Sequence, residues 1–114
     1  MKSYSDIEQS KKLAEILPLE SADMHSEAIE IDGDMIFVVV CGIGDRTKPN
    51  YGSVVWSLAA LLEGLPSFMH LNKREGINGI VYWCTDENVA TDDYDNPVDA
   101  CVEMIIKLNE LNLL

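Results

Sequence analysis

Along the last eighteen positions, Pro97 to Leu114, apolar residues recur at three- and four-residue steps. Val98, Cys101, Val102, Met104, Ile105, Leu108 and Leu111 form one stripe, and Asp99, Glu103, Lys107 and Glu110 fall opposite it. That spacing predicts an amphipathic helix laid on a core with its charges in water. Its start is marked by Asn96 as N-cap, Pro97 at the first helical position, where the missing N–H has no partner to lose, and Asp99 against the positive end of the helix dipole. A second helical pattern opens at Ser5-Asp6-Ile7-Glu8, a capping box, and runs from Asp6 to about Leu17, where Pro18 stops it. Pro18 to Ser26 then reads as a connector holding one short turn around Ala22-Asp23-Met24.

The period changes to two at Ala28–Asp32, where Ile29 and Ile31 alternate with Ala28, Glu30 and Asp32. Asp32-Gly33-Asp34 supplies a hairpin turn with either Asp32-Gly33 or Gly33-Asp34 at its tip. Both registers set Ile29 and Ile31 on the face of Ile36, Val38 and Val40. Met35 to Cys41 is apolar at both parities, the pattern of a central strand covered on both faces. Trp56 to Pro66 reads as a short buried helix. Ser57 is its N-cap, with Ser53 as an alternative start. Trp56 staples onto Leu61, Gly64 takes the left-handed closing position, and Pro66 bars continuation. Ser67–Asn72 and Gly79–Thr85 form a second hairpin joined by Lys73-Arg74-Glu75-Gly76, with Ile80, Tyr82 and Cys84 on one face and Val81, Trp83 and Thr85 on the other. The order is α-β-β-α-β-β-α. It predicts a single α+β domain over residues 1–114, in which two β-hairpins form one mostly antiparallel sheet with three helices packed largely on one side.

Composition narrows the function classes. With 20 acidic and 8 basic residues the formal net charge is −12, which argues against direct nucleic-acid binding or attachment to an anionic membrane. No stretch is long and apolar enough to span a bilayer, and the first residues lack an apolar signal region, so the expectation is a cytoplasmic protein. Cys41, Cys84 and Cys101 are an odd count without a C-x-x-C spacing and sit in apolar runs, the setting of small buried hydrophobes.

Candidate chemistry is sparse. Gly42-Ile43-Gly44 after a strand invites a dinucleotide reading, but Thr47 stands where the third glycine belongs and Pro49 interrupts the helix that should follow. Arg46 and Lys48 make this loop locally basic. With Tyr51 and Trp83 they are the candidate binding residues of a cleft. Asp86 to Asp99 is acidic, yet it lacks the glycine and the ligand order of a calcium loop and reads as a solvated connection with a short strand at Asn88–Thr91. His70 is the only histidine placed in a regular element, and spacing gives it no partner. No catalytic residue, metal ligand or cofactor site is assigned.

The opening Ile7-Glu8-Gln9-Ser10-Lys11-Lys12-Leu13, the run from Trp56 to Pro66, and Asn96 to Ile105 together resemble small uncharacterised proteins carried by prophages and mobile elements of gut anaerobes. The resemblance follows most of the chain in order and rests on helix caps and core stripes. It implies a fold and a phage-like origin, and carries over no activity, cofactor or site residue. The first functional reading is a small acidic, non-enzymatic interaction module whose partner presents a basic surface. In a specific form, Glu27, Glu30, Asp32 and Asp34 with the Asp86–Asp99 stretch mimic DNA and inhibit a host nucleic-acid-binding protein. The second is a small-ligand binder or enzyme with its cleft near the Gly42–Tyr51 loop. The third is a homo-oligomer that buries Ile106, Leu113 and Leu114.

Overall fold

A computed structural model describes all 114 residues. The chain order is α1 (Ile7–Ile16), a single 3-10 turn (Leu19–Ser21), β1 (Met24–Ile31), β2 (Asp34–Cys41), β3 (Tyr51–Val55), α2 (Leu58–Gly64), β4 (His70–Gly76), β5 (Gly79–Thr85) and α3 (Pro97–Glu110). The class and the order of the seven predicted elements stand, with β3 inserted before α2. The two hairpins do not share a sheet. β2-β1-β3 form one antiparallel sheet and β4-β5 another. β3 pairs with the free side of β1 and fills the place there, while the other edge, β2, stays unpaired by the second hairpin.

The core is built around α3. Val98, Ala100, Cys101, Val102, Met104, Ile105 and Leu108 are buried along it, joined by Leu13 and Leu17, Trp56, Ala60 and Leu61, and Cys84. The helix packs on β4 and β5, on α2 and on α1, while α1 packs on β3. Asn96 caps α3 as predicted, its side-chain oxygen accepting from the Asp99 N–H at 2.9 Å. The helix ends earlier than its apolar stripe. Asn112 turns left-handed (φ 57°), and Leu111, Leu113 and Leu114 are exposed. Ile106 is half-buried against the core instead of facing outward.

Several local signals are shifted. Asp6, one residue on from Ser5, caps α1, and its capping box closes with Gln9. The Ser5 N–H is held by the Trp56 carbonyl at 2.9 Å, which fixes Ser5 in an extended crossing before the helix starts. Ser57 caps α2, but Gly64 is that helix's last residue, and the cap after it, Leu65, is extended. Leu17 methyls lie 3.6 Å and 3.8 Å from where a Gly64 Cβ would stand, ordinary contact distances, so neither a left-handed turn nor crowding requires glycine there. β4 continues through Lys73-Arg74-Glu75, leaving Ile77-Asn78 as the tip between paired Gly76 and Gly79. Arg74 is ion-paired to Asp93 and lies over Trp83, which keeps this charged segment in the ladder.

The largest departure is β2. It is an edge strand, and Met35, Ile36, Phe37, Val40 and Cys41 are exposed. The central strand is β1, which begins at Met24, inside the predicted connector. The molecule is elongated in consequence. Its extents are 48 × 34 × 19 Å and its radius of gyration is 15.4 Å, against about 13 Å for an average domain of this length. No helix is long and apolar enough to cross a membrane.

Candidate functional site

Two features meet at the first sheet: the loop Gly42–Asn50 and the bare β2 edge that leads into it. The loop is clamped from beneath by His25, only 4% exposed. Strand alternation puts His25 and Glu27 on one face of β1. The imidazole Nδ1 lies 2.6 Å from the Gly42 carbonyl oxygen and Nε2 lies 2.7 Å from Glu27 Oε1. Both partners are acceptors, so both nitrogens donate when the ring is a cation. A neutral ring would set one lone pair against an oxygen. The Glu27 carboxylate first, and the Gly42 carbonyl second, hold the pKa of His25 above its ordinary value, against the pull of burial. Tyr51 stacks on the ring (centroids 5.3 Å apart, planes within 3°) and donates its hydroxyl to the Ile43 carbonyl at 2.7 Å. Gly44 (φ +69°) closes the clamp: a Cβ there would stand 2.7 Å from the imidazole.

On the other side of Tyr51 an open groove of about 520 Å³ runs between α1 and β3, lined by Ser10, Lys11, Glu15, Arg46, Tyr51 and Ser53 among others. Neither Lys11 nor Arg46 is in an ion pair, whereas Lys2 and Arg74 are. Of the four residues singled out in the sequence, the structure brings Arg46 and Tyr51 to this groove. Lys48 stays on the loop, where its charge acts on His25. Trp83 belongs to the second sheet beneath Arg74, 5.6 Å from ring centroid to guanidinium carbon, and has no part in this cleft. His25 escaped the sequence reading because it lies in the stretch read as a connector. The signal that could have found it was the His25-x-Glu27 alternation leading straight into Ala28-Ile29-Glu30-Ile31. No cluster of three His, Cys, Asp or Glu side chains is placed to hold a metal ion.

The β2 edge is chemically simple. Asp32 (φ 51°) and Gly33 (φ 85°) make a two-residue turn of the primed type, with Ile31 opposite Asp34. Ladder bonds therefore join Ile31–Asp34, Ile29–Ile36, Glu27–Val38 and His25–Val40. The Gly42 N–H donating to the Asp23 carbonyl at 2.7 Å continues the same parity. Met35, Phe37, Val39 and Cys41 thus turn their N–H and C=O groups outward. The edge has no proline, lysine or bulge, the usual guards against strand addition.

Compared with family models, curated proteins and solved structures, the chain matches none. The geometry of the first sheet therefore carries the functional reading by itself.

Two buried or half-buried polar sites elsewhere are structural. Asp99 receives Lys2 Nζ (2.8 Å), Gln9 Nε2 (2.7 Å) and Asn96 Nδ2 (2.8 Å). Burial alone would raise its pKa, and these bonds outweigh it and hold the pKa low. The Cys84 and Cys101 sulfurs lie 3.9 Å apart between β5 and α3, both fully buried, and the Cys84 contact and burial push the Cys101 thiol up.

Proposed function

We propose that the protein is a non-enzymatic interaction module that binds a protein partner by strand addition at β2. One observation carries this: an eight-residue edge strand, apolar on both faces, with its outward backbone groups free. Strand addition draws affinity from main-chain bonds and specificity from alternating side chains, and this edge offers both. A phage-like origin accords with such a role, as does a surface whose charge keeps non-cognate proteins apart. The test is site-specific photocrosslinking in producing cells with benzoylphenylalanine at Phe37, and at Lys12 as control. A discrete protein adduct at position 37, identified by mass spectrometry and lost when Val39→Pro is added, supports the reading. Equal adducts at both positions, or none at 37, refute it.

The Lys11–Arg46 groove favours a second reading, a binder of small anionic ligands. Two cations outside any ion pair line one groove of an acidic protein, with the Ser53 hydroxyl nearby and Glu15 as the one opposing charge, and they fit a carboxylate or phosphate. Isothermal titration with a phosphate monoester and a dicarboxylate tests it. Binding abolished by Arg46→Ala supports it, and absence of heat with both ligands refutes it.

A further inference from the structure

We propose that the occupant of the β2 edge is β2 of a second copy, paired antiparallel about a two-fold axis at Val38 to give a six-stranded sheet β3-β1-β2-β2-β1-β3. The inference rests on the reading of β2 as the contact surface and adds its partner.

The register follows from the free groups. A two-fold axis normal to the sheet sets residues of like parity opposite each other. Centred on Val38, Met35 faces Cys41 of the other copy and Phe37 faces Val39, with the reciprocal pairs beyond the axis. All four outward residues of each strand then exchange both of their bonds. Centred on Phe37, the Cys41 groups would be opposite Gly33 in the turn, outside the ladder. The side chains agree with the first choice. One face carries Ile36 against Val40 and Val38 against Val38. The other sets Phe37 opposite Val39, an aromatic–β-branched combination, with the Phe37 ring leaning across β1 toward Gly52. The strand's one charge, Asp34, falls at opposite ends of the seam. A partner of different chemistry would meet no cation, anion or polar side chain between Met35 and Val40 to recognise. The strand's own sequence supplies the apolar mate it needs.

The exposed area leaves room for such a contact, although it belongs to the elongated chain as a whole. The chain exposes 7162 Å², about 900 Å² more than the roughly 6,200 Å² expected of a compact 12.7 kDa monomer. One partner's share of an ordinary stable interface is about 800 Å².

Like charge opposes the pairing. At −12 per copy, association must strengthen as salt screens the two chains, the reverse of binding to a basic partner. Sedimentation velocity of the full chain, at about 50 mM and about 500 mM NaCl, spanning the range where the screening length falls from above 10 Å to below 5 Å, reads this directly. The expected result is a dimer whose apparent dissociation constant falls severalfold at the higher salt. Val39→Pro, which removes a free outward N–H, and Phe37→Lys should each be monomeric with an unchanged circular dichroism spectrum. In a Cys41→Ser background, Val38→Cys should give a disulfide-linked dimer on mild oxidation, because a non-hydrogen-bonded pair brings Cα atoms to about 4.5 Å, within disulfide reach. Ile36→Cys in that background should not. A monomer at both salt concentrations overturns the proposal, as does a dimer that Val39→Pro leaves intact, or cross-linking at position 36 but not 38. A monomer that still gives the Phe37 photoadduct to another protein overturns self-pairing alone. A monomer without any adduct removes the strand-addition reading as well.

Discussion

Ser5→Ala tests whether Ser5 is a helix cap or a buried structural hinge. The Ser5 hydroxyl accepts from the Trp56 N–H at 3.0 Å and pairs with the Ser10 hydroxyl at 2.8 Å. All three residues are at least 98% buried, and no buried side-chain polar atom in the protein lacks a partner. Removing the Ser5 oxygen therefore orphans two groups at once, the Trp56 N–H and the Ser10 hydroxyl. Each unsatisfied buried group costs about 1–3 kcal/mol, so the variant should lose about 2–6 kcal/mol. Asp6→Ala removes the true cap and should cost about 1 kcal/mol. Urea unfolding followed by tryptophan fluorescence measures both. Ser10→Ala relieves one orphan, so the double variant Ser5→Ala/Ser10→Ala should cost less than the sum of the two single changes, with a coupling of about 1 kcal/mol. If Ser5→Ala costs less than Asp6→Ala, or the two serines are additive, the buried bridge is not what fixes the N-terminal segment and the reasoning fails.

Three further outcomes follow from the geometry. The pKa of His25 is raised in the folded state, so its stabilisation is complete below the unfolded value of about 6.5 and is lost as pH rises through the folded value. Melting temperature should fall over that window, and His25→Gln should flatten the fall; an unchanged pH profile in the variant contradicts the clamp. Cys41 is exposed while Cys84 and Cys101 are fully buried, so a thiol reagent should label one site quickly in the native protein and all three in denaturant. Fast labelling of Cys84 would mean that α3 does not seal β5. Gly33→Ala meets only backbone strain, about 1–2 kcal/mol, because open space surrounds a Cβ there. Gly44→Ala also strikes the His25 ring and should cost more; equal midpoint shifts in urea would remove the loop clamp.

Helix starts were legible because their determinants are local. Asn96-Pro97 and Ser57 carry their own hydrogen-bond chemistry, and the structure uses both. Ser5 misled because two adjacent polar residues, Ser5 and Asp6, both suit a cap, and what decides between them is the distant carbonyl of Trp56. β2 misled for a deeper reason. Apolar residues at both parities signal burial on two faces only if something covers them within the same chain, and a sequence does not say whether the cover is internal. The converse error hid β1. Ala28–Asp32 read as half-exposed and Ser26 as connector, yet β1 is the central strand, because Ser26 hydrogen-bonds to Ser53 across a bulge and Glu27 is neutralised by His25. Of the candidate cleft, Arg46 and Tyr51 were legible from the loop's charge. Their neighbour Lys11 was not, since it lies in α1, far from the loop in sequence, and joins them only when α1 docks on β3.

The same two facts, an apolar edge and a net charge of −12, constrain each other. An unguarded eight-residue strand should template open-ended stacking, and nothing on the strand itself prevents this. Two-fold pairing consumes the edge completely, because β2 has only one free side. The opposite side of the sheet ends in β3, which is only five residues long and packs against α1. A closed pair is therefore available where a fibre is not. The distributed negative charge acts at longer range, disfavouring off-register contacts in which few backbone bonds form, while a register that satisfies every outward group can overcome it. On this argument, neutralising acidic residues remote from β2, such as Glu63 and Glu110, should tighten the dimer without altering its size. Growth of larger species from those changes, seen by light scattering, would show that charge and not edge geometry limits assembly.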